Sequence, residues 1–323
     1  MFGTIISGIS EGFVWAILAL GVYISFRLLD FADLSCEGSI TLGASLAAML
    51  IYKGVNPFLA TLLAFCGGCI AGSVTAILTT KLKIPPILSG ILTMISLYSI
   101  NIHIMSHATG VSGTANLSLL TVRNNTIYGY IKSLIPGMGK DDIILLSGIV
   151  FAVAIIGILY WFFGTEMGCT IRATGSNEKM CRAQGINTDT AKIIGLAISN
   201  GLIALSGAMI CQGQRLASEV NMGVGAIVIG LASIIIGETI FMKAKNFALR
   251  LLGIVVGSVI YRVVVSVVIF SGMPPADLKL MTAVIVLVAL SLPILKNAVF
   301  ASAKKRKLKA EDKEESKEVA ENG

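Results

Sequence analysis

Apolar residues gather in nine windows long enough to cross a bilayer, near residues 4–27, 38–53, 57–80, 86–107, 142–164, 191–211, 223–242, 249–271 and 278–297. Polar residues are largely confined to the breaks between them. This pattern predicts an all-α integral membrane protein of about nine transmembrane helices. Glu11 stands inside the first window, no basic stretch precedes it, and no small-residue cleavage site follows. That window is therefore expected to be a retained helix and not a signal peptide.

The basic residues of the short breaks give an orientation. Lys81 and Lys83, the stretch Arg172 to Lys192, the group Lys243, Lys245 and Arg250, and the run Lys304-Lys305-Arg306-Lys307 all fall on the cytoplasmic side if the amino terminus is outside. The expected arrangement is N-out and C-in. Residues 108–141 then form an external loop rich in Gly, Ser and Asn, with an amphipathic turn over Ile127 to Ile135. Residues 165–190 form a cytoplasmic segment. From residue 301 to 323 Lys and Glu mix with no apolar period, so a transmembrane domain over 1–300 is expected to end in a charged, solvated tail.

Composition agrees with a membrane protein: 55% of residues are hydrophobic and 13% charged, and the mean hydropathy is +0.86. The net charge of +7 follows from membrane orientation and gives no argument for nucleic acid. Cys66 and Cys69 share a helix face, and His103 and His107 lie one turn apart, but neither pair has a third ligand nearby, so no metal site is expected. The Gly8-Ile9-Ser10-Glu11-Gly12 stretch has the spacing of a hydrolase nucleophile elbow, yet it sits in an apolar helix with no strand before it. No phosphate-binding glycine motif occurs, so the chain should bind no nucleotide or other cofactor of its own.

An internal repeat is also visible. Arg27-Leu28, Asp33, Gly38-Ser39 and Leu42-Gly43-Ala44 are echoed by Arg215-Leu216, Asn221, Gly225-Ala226 and Ile229-Gly230-Leu231. Gly68 and Gly72 are likewise echoed by Gly253 and Gly257. An odd number of expected crossings separates the copies, at about 4–107 and 191–297, so they should be inverted relative to each other. Inverted repeats with polar interruptions at matching places mark alternating-access transporters, whose pathway runs between the halves.

Asp30, Asp33 and Glu37 cluster with Ser35 and Ser39 where the first break should lie. A charge in hydrocarbon costs about 2.5–3.5 kcal/mol, so these groups belong either to a cytoplasmic connection or to a polar path. Both readings stand for Asp30, while Asp33, Ser35, Glu37 and the repeat partner Asn221 are assigned to the path. Arg262, in the middle of the eighth window, must face the bundle interior and find an acidic or carbonyl partner, as a pathway residue or as half of a structural ion pair.

The longest polar interruption before the tail is Arg172 to Lys192. Asn177 can cap a short helix over Glu178 to Gln184, Gly185 can stop it, and Asn187 can open the next helix. The result would be a stiff knob at the membrane surface, a shape that suits a push from a soluble partner and equally suits an ordinary well-capped loop.

Ala173-Thr174-Gly175-Ser176-Asn177-Glu178, followed by Arg182, Gly185-Ile186-Asn187 and Ala191-Lys192, resembles the cytoplasmic coupling segment of ABC-importer permeases of the branched-chain amino acid and ribose type. Asp33-Leu34-Ser35-Cys36-Glu37-Gly38-Ser39 is similar to an element of the sugar permeases. Phe31-Ala32 is similar to the branched-chain form, and Ile84-Pro85-Pro86-Ile87 with Leu92-Thr93-Met94 resembles the family's fourth-helix entry. The resemblance implies coupling through Arg172, Gly175, Asn177, Glu178, Arg182, Gly185 and Asn187. It also implies cytoplasmic ATP-binding subunits that perform the hydrolysis, an extracytoplasmic solute-binding protein, a second permease copy in a homodimer, and a place in the cell membrane. Cys36-Glu37 stands where the sugar members carry small residues, which turns the expectation towards an amino acid. The rivals are a carrier driven by an ion gradient and a membrane enzyme; few deep titratable groups favour the first, and no nucleophile with a base supports the second.

Overall fold

The computed structural model describes residues 2–134, 137, 139–241 and 246–270, with 277, 280–284, 286–288 and 291. Residues 1–275 and 276–323 form two separate units. In the second, residues 280–284 and 286–288 are helical; most of the ninth expected window and all of the charged tail lie outside the described residues.

The first unit contains α1 (Phe2–Tyr23), prolonged by a π turn over Ile24–Leu28, then α2 (Cys36–Tyr52), α3 (Pro57–Thr80) and α4 (Pro86–Thr109). After strand β1 (Asn116–Ser118) come α5 (Ile127–Leu134), α6 (Lys140–Gly164), α7 (Glu166–Ser176), α8 (Glu178–Ala183) and α9 (Thr188–Ile210). A second π turn (Cys211–Arg215), strand β2 (Ala217–Glu219), a 3-10 turn (Val220–Gly223), α10 (Ala226–Ile240) and α11 (Phe247–Phe270) follow. Asn56 caps α3 with Pro57 in the first turn, and Gly110 closes α4 in the left-handed region.

Seven of the described helical stretches are long and apolar enough to cross a bilayer. They coincide with seven of the nine windows. The second window instead becomes α2, whose 17 residues reach about 25 Å at 1.5 Å per residue, short of a hydrocarbon layer of about 30 Å. Its composition explains its place. Gly38, Ser39, Gly43, Ala44, Ser45, Ala47 and Ala48 are all buried, which lets α2 sink between neighbours instead of facing lipid.

Packing is closest around α9, which lies against α3, α2 and α1. A Cβ placed on Gly43 of α2 would stand 1.9 Å from the Ala204 carbonyl oxygen, and one on Gly72 of α3 would stand 2.2 Å from that of Leu196. Backbones in contact at these points cannot accept a side chain without parting. Gly43→Ala is therefore expected to cost at least the 1–3 kcal/mol or so typical of overpacked cores. Gly157→Ala on α6, where an added Cβ meets nothing within 4 Å, should cost nothing. Thermal unfolding of the two variants in detergent checks the contrast, and equal midpoints would refute it.

The two stretches that echo each other in sequence also share details of form. α1 and α9 both end in a five-residue π turn carrying an arginine. Each turn is followed closely by a left-handed non-glycine residue, Asp30 at φ 51 and Leu216 at φ 50. α3 and α11 have 24 residues each; α9 packs on α3, and α1 packs on α11. The amphipathic turn expected over Ile127 to Ile135 is α5. Its segment is tied down by β1, which pairs antiparallel with β2 so that Leu117 faces Ser218. Gln212 adds a second tie: its Nε2 donates to Thr61 Oγ1 at 2.8 Å and its Oε1 accepts from the Ile127 N–H at 3.1 Å.

Candidate functional site: a surface knob, a buried clasp and a polar cavity

The knob is built by side-chain caps. The Asn177 carboxamide accepts from the Met180 N–H at 3.0 Å and starts α8; Gly185, at φ +81, stops it; the Asn187 side chain accepts from the Thr190 N–H at 3.2 Å and starts α9. Glu178, Arg182 and Lys192 then fasten α8 to α9. Glu178 Oε1 receives Arg182 Nη2 at 2.9 Å and Lys192 Nζ at 2.8 Å, while Arg182 also donates to Asp189 Oδ1 at 3.1 Å and Thr188 Oγ1 at 2.8 Å. The Lys192 hydrogen bond chiefly, helped by the charge of Arg182, holds the Glu178 carboxyl below its ordinary value. The resulting stabilisation is present above the unfolded carboxyl's value of about 4.3 and fades as pH falls through the depressed folded value. Because Arg182 is 59% exposed, each of its two ion pairs is worth less than about 1 kcal/mol.

Asn177, Glu178, Arg182, Gly185 and Asn187 thus form one unit. Arg172 and Gly175 sit apart from it, on α7, a helix of its own within the cytoplasmic segment expected over 165–190. Arg172 lies 5.6 Å from the centre of the Phe247 ring and 3.2 Å from Cys169 Sγ. Gly175 lets α7 touch the end of α1: a Cβ there would stand 1.9 Å from the Leu28 carbonyl oxygen. It is α7, next to the knob, that rests directly on the turn leading to Asp33.

Asp33 is fully buried. Its Oδ1 accepts from the Ser35 N–H at 2.9 Å and the Ser35 hydroxyl at 2.5 Å, and its Oδ2 accepts from Asn200 Nδ2 at 2.7 Å. Asn200 Oδ1 in turn accepts from Ser39 Oγ at 2.7 Å. A buried carboxylate persists when donors replace its water, and here α9 supplies one of them. This clasp joins the entry of α2 to the middle of α9.

Glu37 and Asn221 meet on the other side of α2, around a cavity of about 490 Å³ shared by α2, α4 and the turn before α10. Thr41, Tyr98, Ser99 and Asn101 also line it. Glu37 Oε1 accepts from the Gly225 N–H at 2.9 Å, placing a carboxylate at the amino end of α10, where the helix dipole favours it. Of the five residues assigned to a path, Glu37 and Asn221 are brought together, and Asp33 and Ser35 lie behind them in the clasp. Arg262 is elsewhere, on α11 against α1: its Nη1 is 3.4 Å from Glu11 Oε2 and its guanidinium lies 3.8 Å from the centre of the Trp15 ring. That is an ion pair with a cation–π contact, within the bundle interior that its charge demands.

Asn101, Asn200 and Gln212 escaped sequence reasoning. Each is an uncharged amide inside an apolar window, and among hydrophobic neighbours the amide itself was the available signal. Among the described residues no group of three or more His, Cys, Asp or Glu is placed to hold a metal ion.

Residues 4–290 match the family described as branched-chain amino acid transport system, permease component. A tyrosine transport system permease protein of Clostridioides difficile is 42% identical over 287 residues, covering 89% of this chain and 90% of the relative. Uncharacterized protein RP368 of Rickettsia prowazekii is 30% identical over 89% of this chain and 96% of its own length. The ribose import permease protein RbsC of Escherichia coli is 26% identical, with 76% of this chain and 71% of the relative covered. With seven apolar helices among the described residues and this match over nearly all of the first unit, the chain belongs to the branched-chain amino acid transport system permease family and is a multi-pass plasma-membrane permease of the ABC type.

Proposed function

We propose that this permease is the membrane-spanning half of an ATP-driven importer for an amino acid delivered by an extracytoplasmic binding protein. Two cytoplasmic ATP-binding subunits would grip residues 172–188, and a second copy of the chain would complete the path. The amino terminus would lie outside and the carboxyl terminus inside, with the halves inverted about the bilayer plane. The shared π turns, the left-handed residues after them and the exchanged packing of α1 on α11 and α9 on α3 support the repeat. The single observation that carries the cargo is the 42% identity to a permease named for tyrosine.

The mechanism follows the contacts. A push on α8 reaches α9 through Glu178 and Lys192, and α7 passes it to Leu28 across Gly175. Both routes converge on the Asp33–Asn200 clasp, and α2 carries the movement to the cavity at Glu37 and Asn221. Packed helices with two discrete arrangements turn such a push into a switch of access. Vesicles holding the chain with its ATPase and binding protein are expected to accumulate tyrosine when ATP is supplied, and to accumulate nothing under a proton gradient without the ATPase. Uptake by the chain alone under that gradient would instead make it a secondary carrier.

A further inference from the structure

We infer that the cavity between α2, α4 and the Val220–Gly223 turn holds the primary ammonium group of the cargo, with Asn101 Oδ1 and the Glu37 carboxylate as its acceptors. This rests on the importer reading and adds to it the chemical group that the path recognises.

Asn101 is the first ground. It is 1% exposed, and its Nδ2 lies 3.4 Å from the Gly38 carbonyl oxygen. That neighbour fixes the amide: turned over, two oxygens would face each other. Oδ1 is then left with no hydrogen-bond partner, although it belongs to a residue that lines the cavity. Buried acceptors are nearly always matched, and one that is not is explained when a donor arrives from elsewhere.

Glu37 is the second. Its Oε1 is engaged by the Gly225 N–H, while Oε2 accepts from no described residue. Glu37 and Asn101 converge on one glycine, since Gly38, whose carbonyl holds Asn101, follows Glu37 in the chain. The lining holds this carboxylate and no Lys or Arg, so its charge is negative. A half-buried carboxylate beside apolar helices cannot face lipid cheaply, which places the cavity on water. An ammonium group brings positive charge and three donors, matching the carboxylate, the free carboxamide oxygen and the nearby Thr41 or Asn221 side chain. A space of about 490 Å³ is in the range of small-molecule sites and takes a whole amino acid. A sugar would present hydroxyls, which leave the carboxylate charge unanswered.

Thermal unfolding of the purified full chain in detergent, with each of the twenty protein L-amino acids in turn as probe, tests this. At least one is expected to raise Tm by about 3 °C or more in excess, and the matching 2-hydroxy acid, in which a hydroxyl replaces the ammonium group, is expected not to. Asn101→Leu should abolish the shift. Glu37→Gln keeps an oxygen for Gly225 and so keeps the start of α10; it should raise the concentration needed by about tenfold or more. Stabilisation by none of the twenty, equal stabilisation by the hydroxy acid, or an unchanged concentration dependence in Glu37→Gln would overturn the assignment. ATP-driven uptake by the same chain assembled with its ATPase is measured separately. Its loss would refute the importer reading, whereas ATP-driven uptake of a cargo without an amine would refute the ammonium site alone.

Discussion

Asn200→Ala is expected to lower the stability of the chain by about 3 kcal/mol, the sum of a lost amide–carboxylate bond of about 2 and an unmet Ser39 hydroxyl of about 1. In a bundle of this size that is a fall in Tm of about 5 °C. The effect is large because the alanine variant leaves Asp33 Oδ2 without its donor inside a fully buried site. Ser73→Ala, by contrast, removes a hydroxyl that bonds the Cys69 carbonyl of its own helix, and should shift stability by less than about 0.5 kcal/mol. Unfolding of both variants in detergent decides the matter. A loss under about 1 kcal/mol for Asn200→Ala would mean that the clasp does not hold α2 to α9.

The second large effect concerns transport and not stability. With Glu178→Ala and Arg182→Ala combined, the chain should still fold and insert: the two Arg182 pairs are exposed and worth less than about 1 kcal/mol each, and Lys192, left without Glu178, can turn its long side chain to water. Asn177 and Asn187 still cap their helices in that variant. What is lost is the stiff link from α8 to α9, and with it the route by which an ATPase would move the clasp. Uptake per ATP hydrolysed is expected to fall by about tenfold or more, within the usual span of coupling energies. Paired measurements of uptake and hydrolysis in vesicles give the ratio. A ratio equal to that of the unaltered chain would remove the knob from the transmission path.

Much of this architecture was legible because hydrophobic length and helix punctuation are local signals. Seven windows and the caps at Asn177, Gly185 and Asn187 are written in consecutive residues. Other parts depended on residues far apart. α2 has the hydropathy of a spanning segment, and its burial follows from how Gly43 and Gly207 meet partners more than 160 positions away in the chain. The cost of a charge in hydrocarbon sent Arg262 inward correctly, yet could not tell Glu11 and Trp15 from a passing solute. Asp33 and Glu37 read alike in the sequence; the geometry separates them, one tied by Asn200 and the other opening on the cavity. The amides that make this difference carry no charge and so left little trace in hydropathy.

The two π turns have a mechanical consequence. Each accommodates one residue more than an α turn would, and rewinding either into regular helix would rotate everything beyond it by about 100°. For the first turn, that rotation would carry Asp33 off Asn200 and turn Glu37 away from Gly225. A single extra residue in the winding at the end of α1 thus sets the azimuth of the two acidic groups, Asp33 and Glu37, that lead into α2.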